Sequence, residues 1–311
     1  MEPQTALIYG DSGIGKTANL QRIADYLLKL YPGTKGRLIT ADGGGTTPFS
    51  QTGLVESGKV EILNIAASEI AYAEISALSE GKWPLTGMTG SKQWLTREVS
   101  CRNVSFYMIE GLESMGQLLL SHMAHQSSGR AGFKLSWDFS EELDGINYTV
   151  GGLDKGHYGI VQSELMRLHN KGFSQLPVKW VIWTSKVARG EEDRTRETIY
   201  GPALVGKAKT DKLSGSFGDC LHMDTAIVVD KDGKKHEERV AWFTQHKDQI
   251  TNTPYIAKSR VALAAIPYLY GLWPQGFVPL YYNKGLEQYF KFINRIPSLL
   301  AKKGINAAQS T

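Results

Sequence analysis

Gly10-Asp11-Ser12-Gly13-Ile14-Gly15-Lys16-Thr17 is a complete G-x-x-x-x-G-K-[ST] phosphate loop, and the rest of the chain is read outward from it. The apolar run Ala6-Leu7-Ile8-Tyr9 precedes it and an amphipathic stretch from Lys16 to about Leu30 follows, so the loop falls at a strand-to-helix junction. Gly10, Gly13 and Gly15 are expected to take dihedrals barred to other residues and to let a polyphosphate approach, while successive N–H groups and the helix N-terminus supply positive potential. Lys16 should reach the β- and γ-phosphates and Thr17 should offer its hydroxyl to Mg²⁺. No N-K-x-D-like guanine motif is present, which favours ATP over GTP.

A chain of 311 residues can bury a full core without disulfides, and strand and helix patterns that alternate along it indicate an α/β protein. Cys101 and Cys220 are too few for a disulfide framework. Neither Cys220-Leu221-His222 nor His122 with His125 reads as more than packing or surface, so no metal site is expected there. Met1 to Thr5 lead directly into a strand and no apolar run reaches membrane-spanning length, which points to a cytoplasmic protein with no membrane partner. A formal charge of +4 permits nucleic-acid contact without requiring it.

Further strands are expected at 36–41, broken by Asp42-Gly43-Gly44-Gly45, and at 60–65, with a helix over 68–79, a loop over 83–91 and a short helix near 92–99. The strand 104–109 delivers Glu110 at its carboxyl end, where an acid would hold Mg²⁺ together with Thr17; Glu113 is the fallback. A helix over 114–126 precedes an irregular, aromatic-rich stretch, 127–153, with Phe133, Trp137, Phe139 and Tyr148. After a helix over 155–171, a strand at 178–184 ends in Ser185-Lys186. The polar segment 187–218 follows, with Arg189, Arg194, Arg196, Lys207, Lys209 and Lys212. Residues 221–229 and 238–246 read as a hairpin about Asp232-Gly233, and Tyr255-Ile256-Ala257 as a last strand before Lys258-Ser259-Arg260. A core over 1–265 and a Pro- and aromatic-rich tail over 266–311, with an amphipathic helix at 284–302, complete the division.

In order, the phosphate loop, Ile39-Thr40-Ala41-Asp42, the strand ending in Glu110, and Val181-Ile182-Trp183-Thr184-Ser185-Lys186 resemble the RecA-like P-loop ATPases. The likeness extends in particular to small phage-type members related to single-strand annealing and recombination proteins. It implies a RecA-like core with a mostly parallel sheet flanked by helices, ATP and Mg²⁺ as cofactors, and a bacterial host cytoplasm if the chain is phage-encoded. By the same resemblance Asp42 activates the attacking water, where better-known members use Glu, and Lys186 takes the γ-phosphate-sensing place usually held by Gln. Lys258-Ser259-Arg260 looks like the K-x-R element that RecA- and DnaB-like assemblies present to a neighbour's γ-phosphate, which implies a homo-oligomeric ring or filament. Segments 127–153 and 187–218 correspond to loops that line the family's axis and bind single-stranded nucleic acid. The sequence therefore points first to an oligomeric ATPase in phage-type recombination, annealing or replication. A nucleotide or small-molecule kinase with a lid after Lys186 is a second expectation. A nucleotide-switched assembly or annealing protein with negligible hydrolysis is a third, since Asp42 and Glu110 are both unusual for their places.

Overall fold

The computed structural model describes residues 2–41, 46–66, 70–125, 138–143, 146–151, 155–191, 197–205, 210–229, 232–261, 263–281 and 284–302. An eight-stranded sheet is built from β1 (Gln4–Gly10), β2 (Lys35–Thr40), β3 (Val60–Asn64), β4 (Val104–Glu110), β5 (Trp180–Ser185), β6 (Asp219–Val229), β7 (Lys235–Trp242) and β8 (Phe277–Pro279). Their spatial order is β3-β2-β4-β5-β1-β6-β7-β8. β1 to β6 pair in parallel, and β7 runs antiparallel to both of its neighbours.

Strands buried on both faces alternate their side chains between two cores. Leu7, Tyr9, Tyr107, Ile109, Val181 and Trp183 pack against α2 (Ala71–Ser79), α3 (Leu112–His125) and α4 (Lys155–Arg167). Ala6, Ile8, Phe106, Met108, Trp180 and Ile182 face the other way, toward α1 (Lys16–Leu30) and α5 (Glu287–Ala301). The tail beyond Ala265 packs on this chain's own core: β8 extends the sheet, and Leu286, Tyr289 and Phe290 are fully buried beside Leu20 and Ile23. Asn19 Oδ1 accepts the Leu286 N–H at 2.7 Å, fixing the start of α5 to α1.

Several local expectations change. Within 187–218 much of the described chain is strand, not polar loop: Val187–Glu191 pairs with Thr198–Pro202 in a four-stranded sheet completed by Pro254–Tyr255 and His246–Lys247, and Thr210–Gly215 is a short helix. Tyr200 stacks on Tyr255 at 4.9 Å, a cross-strand aromatic pair that offsets the segment's polarity. His246 accordingly belongs to this small sheet, and β7 ends at Trp242. In the stretch expected to be irregular, Asp138–Leu143 and Ile146–Gly151 pair antiparallel, following the alternation Ile146, Tyr148, Val150. The helix near 92–99 shrinks to Arg97–Ser100 because Trp94–Leu95 bridges to Trp83–Pro84. Among the described residues no helix is long and apolar enough to cross a membrane.

Candidate functional site

Topology gathers the site. From β1 the chain runs through α1 to β2, leaving two places beside β1 that β5 and β4 occupy later. The carboxyl ends of β1, β4 and β5 therefore open into one crevice, where open parallel sheets bind ligands. A cavity of about 470 Å³ lies there, lined by Gly13, Lys16, Thr17, Glu110, Glu113 and Lys186 among others, with Thr47 and Pro48 on its rim.

Gly13 and Gly15 have φ of 80° and 101°, the left-handed conformation that a side chain strains. Gly10 differs from the expectation, because its φ is not in that region. A Cβ at Gly10 would lie 2.5 Å from the Met223 carbonyl oxygen of β6, so close strand approach demands glycine. Asn19 donates its side-chain amide to the Gly15 carbonyl at 3.0 Å, which couples the loop to α1 and, through Leu286, to the tail.

Lys16 Nζ donates to the Gly10 and Asp11 carbonyls at 2.7 and 2.8 Å. Burial lowers its pKa and Lys186 adds to that, while Asp11 and Glu110 oppose it. An ammonium in a partly buried cavity is a donor whose bonds to anionic oxygens are stronger than those it makes to carbonyls. The Thr17 hydroxyl donates directly to Glu110 Oε1, joining α1 to the end of β4. Glu110 is 7% exposed. A hydroxyl and a carboxylate brought together from two elements form a hard-oxygen set that fits Mg²⁺. At the end of β5, Thr184 Oγ1 accepts the Gly111 N–H at 3.0 Å, pinning the turn after Glu110. Lys186 Nζ is 3.5 Å from Glu113 Oε2, so both side chains stand in the cavity.

Of the expected residues, Lys258 and Arg260 are placed away from this group in the same chain. Asp42 lies outside the described residues, as do Arg194, Arg196, Lys207, Lys209, Phe133 and Trp137. Lys258 exchanges both backbone hydrogen bonds with Cys220 at 2.9 Å, and Arg260 donates its N–H to Asp219 Oδ1 at 3.1 Å and its guanidinium to the Gly215 carbonyl at 2.9 Å. Asp219 pairs with Ala6, whereas Met223 pairs with Gly10. Lys258 and Arg260 thus sit toward the amino end of β1, away from the phosphate loop of the same chain.

Two features beside the loop were not anticipated. The exposed Arg239 of β7 brings Nη1 to 3.4 Å from where a Cβ on Gly15 would stand. On the opposite face of β6, His222 is in register with Tyr9 and stacks on it at 4.7 Å, with Asp224 two residues on and His246 against it. Burial pushes the His222 imidazole down to about 2, with His246 and Lys16 adding to the effect, and pushes His246 down to about 4. The i, i+2 pair on a strand was a visible signal; its partner His246 comes from a strand too short to read. Cys220 turns away toward the Ile256 carbonyl, its thiol pushed up to about 12 by burial.

The chain thus presents a helix-flanked, mostly parallel α/β sheet with a phosphate loop at its carboxyl edge. Among solved structures it is similar to a KaiC-like protein from the hyperthermophilic archaeon Pyrococcus horikoshii OT3, at 13% identity over 78% of each chain and a TM-score of 0.38. No family model and no curated protein matches the chain.

Proposed function

We propose that the chain is an Mg²⁺-dependent P-loop ATPase with a RecA-like core. The observation that carries this is the Thr17–Glu110 hydrogen bond at the foot of a cavity that also holds Lys16 and Lys186. The loop N–H groups receive the triphosphate and Lys16 leaves its own carbonyls to neutralise the terminal phosphates. Thr17 and Glu110 hold Mg²⁺, which would supply charge neutralisation on the phosphate oxygens. Asp42 orients the attacking water, and Lys186, released from Glu113, senses the γ-phosphate. Little covalent help is needed, because phosphoryl transfer is governed by positioning and electrostatics. Glu110→Gln should spare folding and lower turnover by about 100-fold, a loss of the size seen when one stabilising group is removed. Turnover in that variant equal to wild type would break the assignment.

The position of Lys258 and Arg260 supports their action between copies, since within one chain they lie at the wrong end of β1. A homo-oligomer, ring or filament, follows, in which Arg260 completes a neighbour's site. Arg260→Ala should leave ATP binding intact and lose turnover. We extend the reading to single-stranded nucleic acid, held by the cations of 187–218 and the aromatics of 127–153, and to a role in phage-type recombination or annealing. Single-stranded DNA should raise ATP turnover at low salt; turnover indifferent to it removes this extension and leaves the ATPase in place.

A further inference from the structure

We propose that His222, Asp224 and His246 form a site for a zinc-class divalent metal ion, clipping the small four-stranded sheet to β6 beside the phosphate loop. His222 and Asp224 project from the same face of β6 because they are two residues apart, and His246 meets them from the strand His246–Lys247. His222 Nδ1 and His246 Nε2 are 3.0 Å apart, and the ligating atoms of all three residues lie within 4.8 Å of one another. A tetrahedral ion with bonds of about 2.0 Å needs ligand atoms roughly 3.3 Å apart. The nitrogens are already close to that spacing, and rotation of the half-buried Asp224 side chain brings its carboxylate in.

The surroundings are built around the rings. Tyr255 stacks on His222 at 4.1 Å and Trp242 on His246 at 4.1 Å, which fixes both imidazole planes. His246 Nδ1 faces the Thr244 carbonyl at 3.4 Å, a partner that holds the proton on Nδ1 and leaves Nε2 to bind. Two imidazoles and a carboxylate suit zinc, cobalt or nickel and leave room for a further ligand, whereas Mg²⁺ prefers oxygen donors such as Thr17 and Glu110. The strand Val187–Glu191 of the same small sheet begins one residue after Lys186, so an ion here would steady the element that follows the proposed γ-phosphate sensor.

The test uses the full chain, stripped with chelator, without nucleotide, and titrated with Co²⁺. The expected result is one bound ion with the visible absorption of nitrogen-ligated cobalt, displaced by Zn²⁺, and a thermal midpoint raised by Zn²⁺. The double variant Asp224→Asn, His246→Gln, altered at two half-buried positions, should bind cobalt about 100-fold more weakly. Should that variant fail to fold, Asp224→Asn alone should show about a tenfold loss, near 1.4 kcal/mol. No cobalt binding by the wild type, or equal binding by the folded variant, overturns the site. Because the readout needs no nucleotide, its failure is separate from any failure of ATP to bind.

Discussion

Glu110 and Asp219 are both 7% exposed and stand at opposite edges of one sheet, yet their surroundings differ in kind. Asp219, at the amino edge, accepts hydrogen bonds from Tyr289 Oη at 2.9 Å, Ser259 Oγ at 3.0 Å and the Arg260 N–H at 3.1 Å. It welds α5 and the 258–260 segment to the start of β6. Glu110, at the carboxyl edge, meets the hydroxyl of Thr17 at a cavity that also holds Lys16 and Lys186. Depth of burial therefore does not separate the two acids. What separates them is whether the polar partners close around the carboxylate or leave space for a ligand.

At the open edge, Lys16→Ala removes the cation that faces the loop carbonyls. It should cost at least about 100-fold in ATP affinity, near 2.7 kcal/mol, measured by calorimetry, with little change in unfolding midpoint. Affinity unchanged would remove the functional character of that edge. At the closed edge the expectation reverses: Asp219→Ala leaves the Tyr289 and Ser259 hydroxyls and the Arg260 N–H without their acceptor, a loss on the order of 3 kcal/mol by denaturant titration. ATP affinity of the folded fraction should hold.

A pH series sharpens the contrast further. His169, 1% exposed and stacked on Phe217 at 4.0 Å just before β6, is pushed by burial down to about 4 from an ordinary 6.5. Below 6.5 the unfolded chain takes up a proton that the fold resists, so this contribution is complete above 6.5 and is lost as pH falls toward 4. Between pH 7 and 4.5 the loss should be on the order of 2 kcal/mol, and His169→Phe should lack it. Burial raises the Asp219 carboxyl above 3.8, which acts in the opposite sense: its fold binds the proton more readily, and stability falls as pH rises through that window. Identical acid profiles for wild type and His169→Phe would show that His169 does not shape the acid limb.

The open edge was legible because its demands are local. Gly13, Gly15, Lys16 and Thr17 fall within one five-residue stretch, and Glu110 and Lys186 follow apolar runs long enough to read as strands. The need for glycine at position 10 was not legible in the same way, since it arises from Met223 on a strand more than two hundred residues later. The His222, Asp224 and His246 group depends on a two-residue strand, too short to show periodicity, packed onto β6. The tail gave no internal signal of what it covered. Its amphipathic helix was readable, but that it closes on α1 through Asn19 and Leu286 is a fact of the fold.

The smallest effect belongs to Arg239, the cation that the β6–β7 hairpin places near Gly15. Its side chain is exposed, so water and salt screen it, and its attraction for a triphosphate should be well below that of Lys16. Arg239→Ala is expected to weaken ATP binding about threefold at low ionic strength and hardly at all in concentrated salt, while Arg239→Lys retains most of the affinity. A salt-independent loss would instead indicate that Arg239 packs the phosphate loop into shape, and the thermal midpoint would then fall with it. No loss in dilute buffer would confine the open edge to the carboxyl ends of β1, β4 and β5. The hairpin would then serve only to bring Met223 against Gly10.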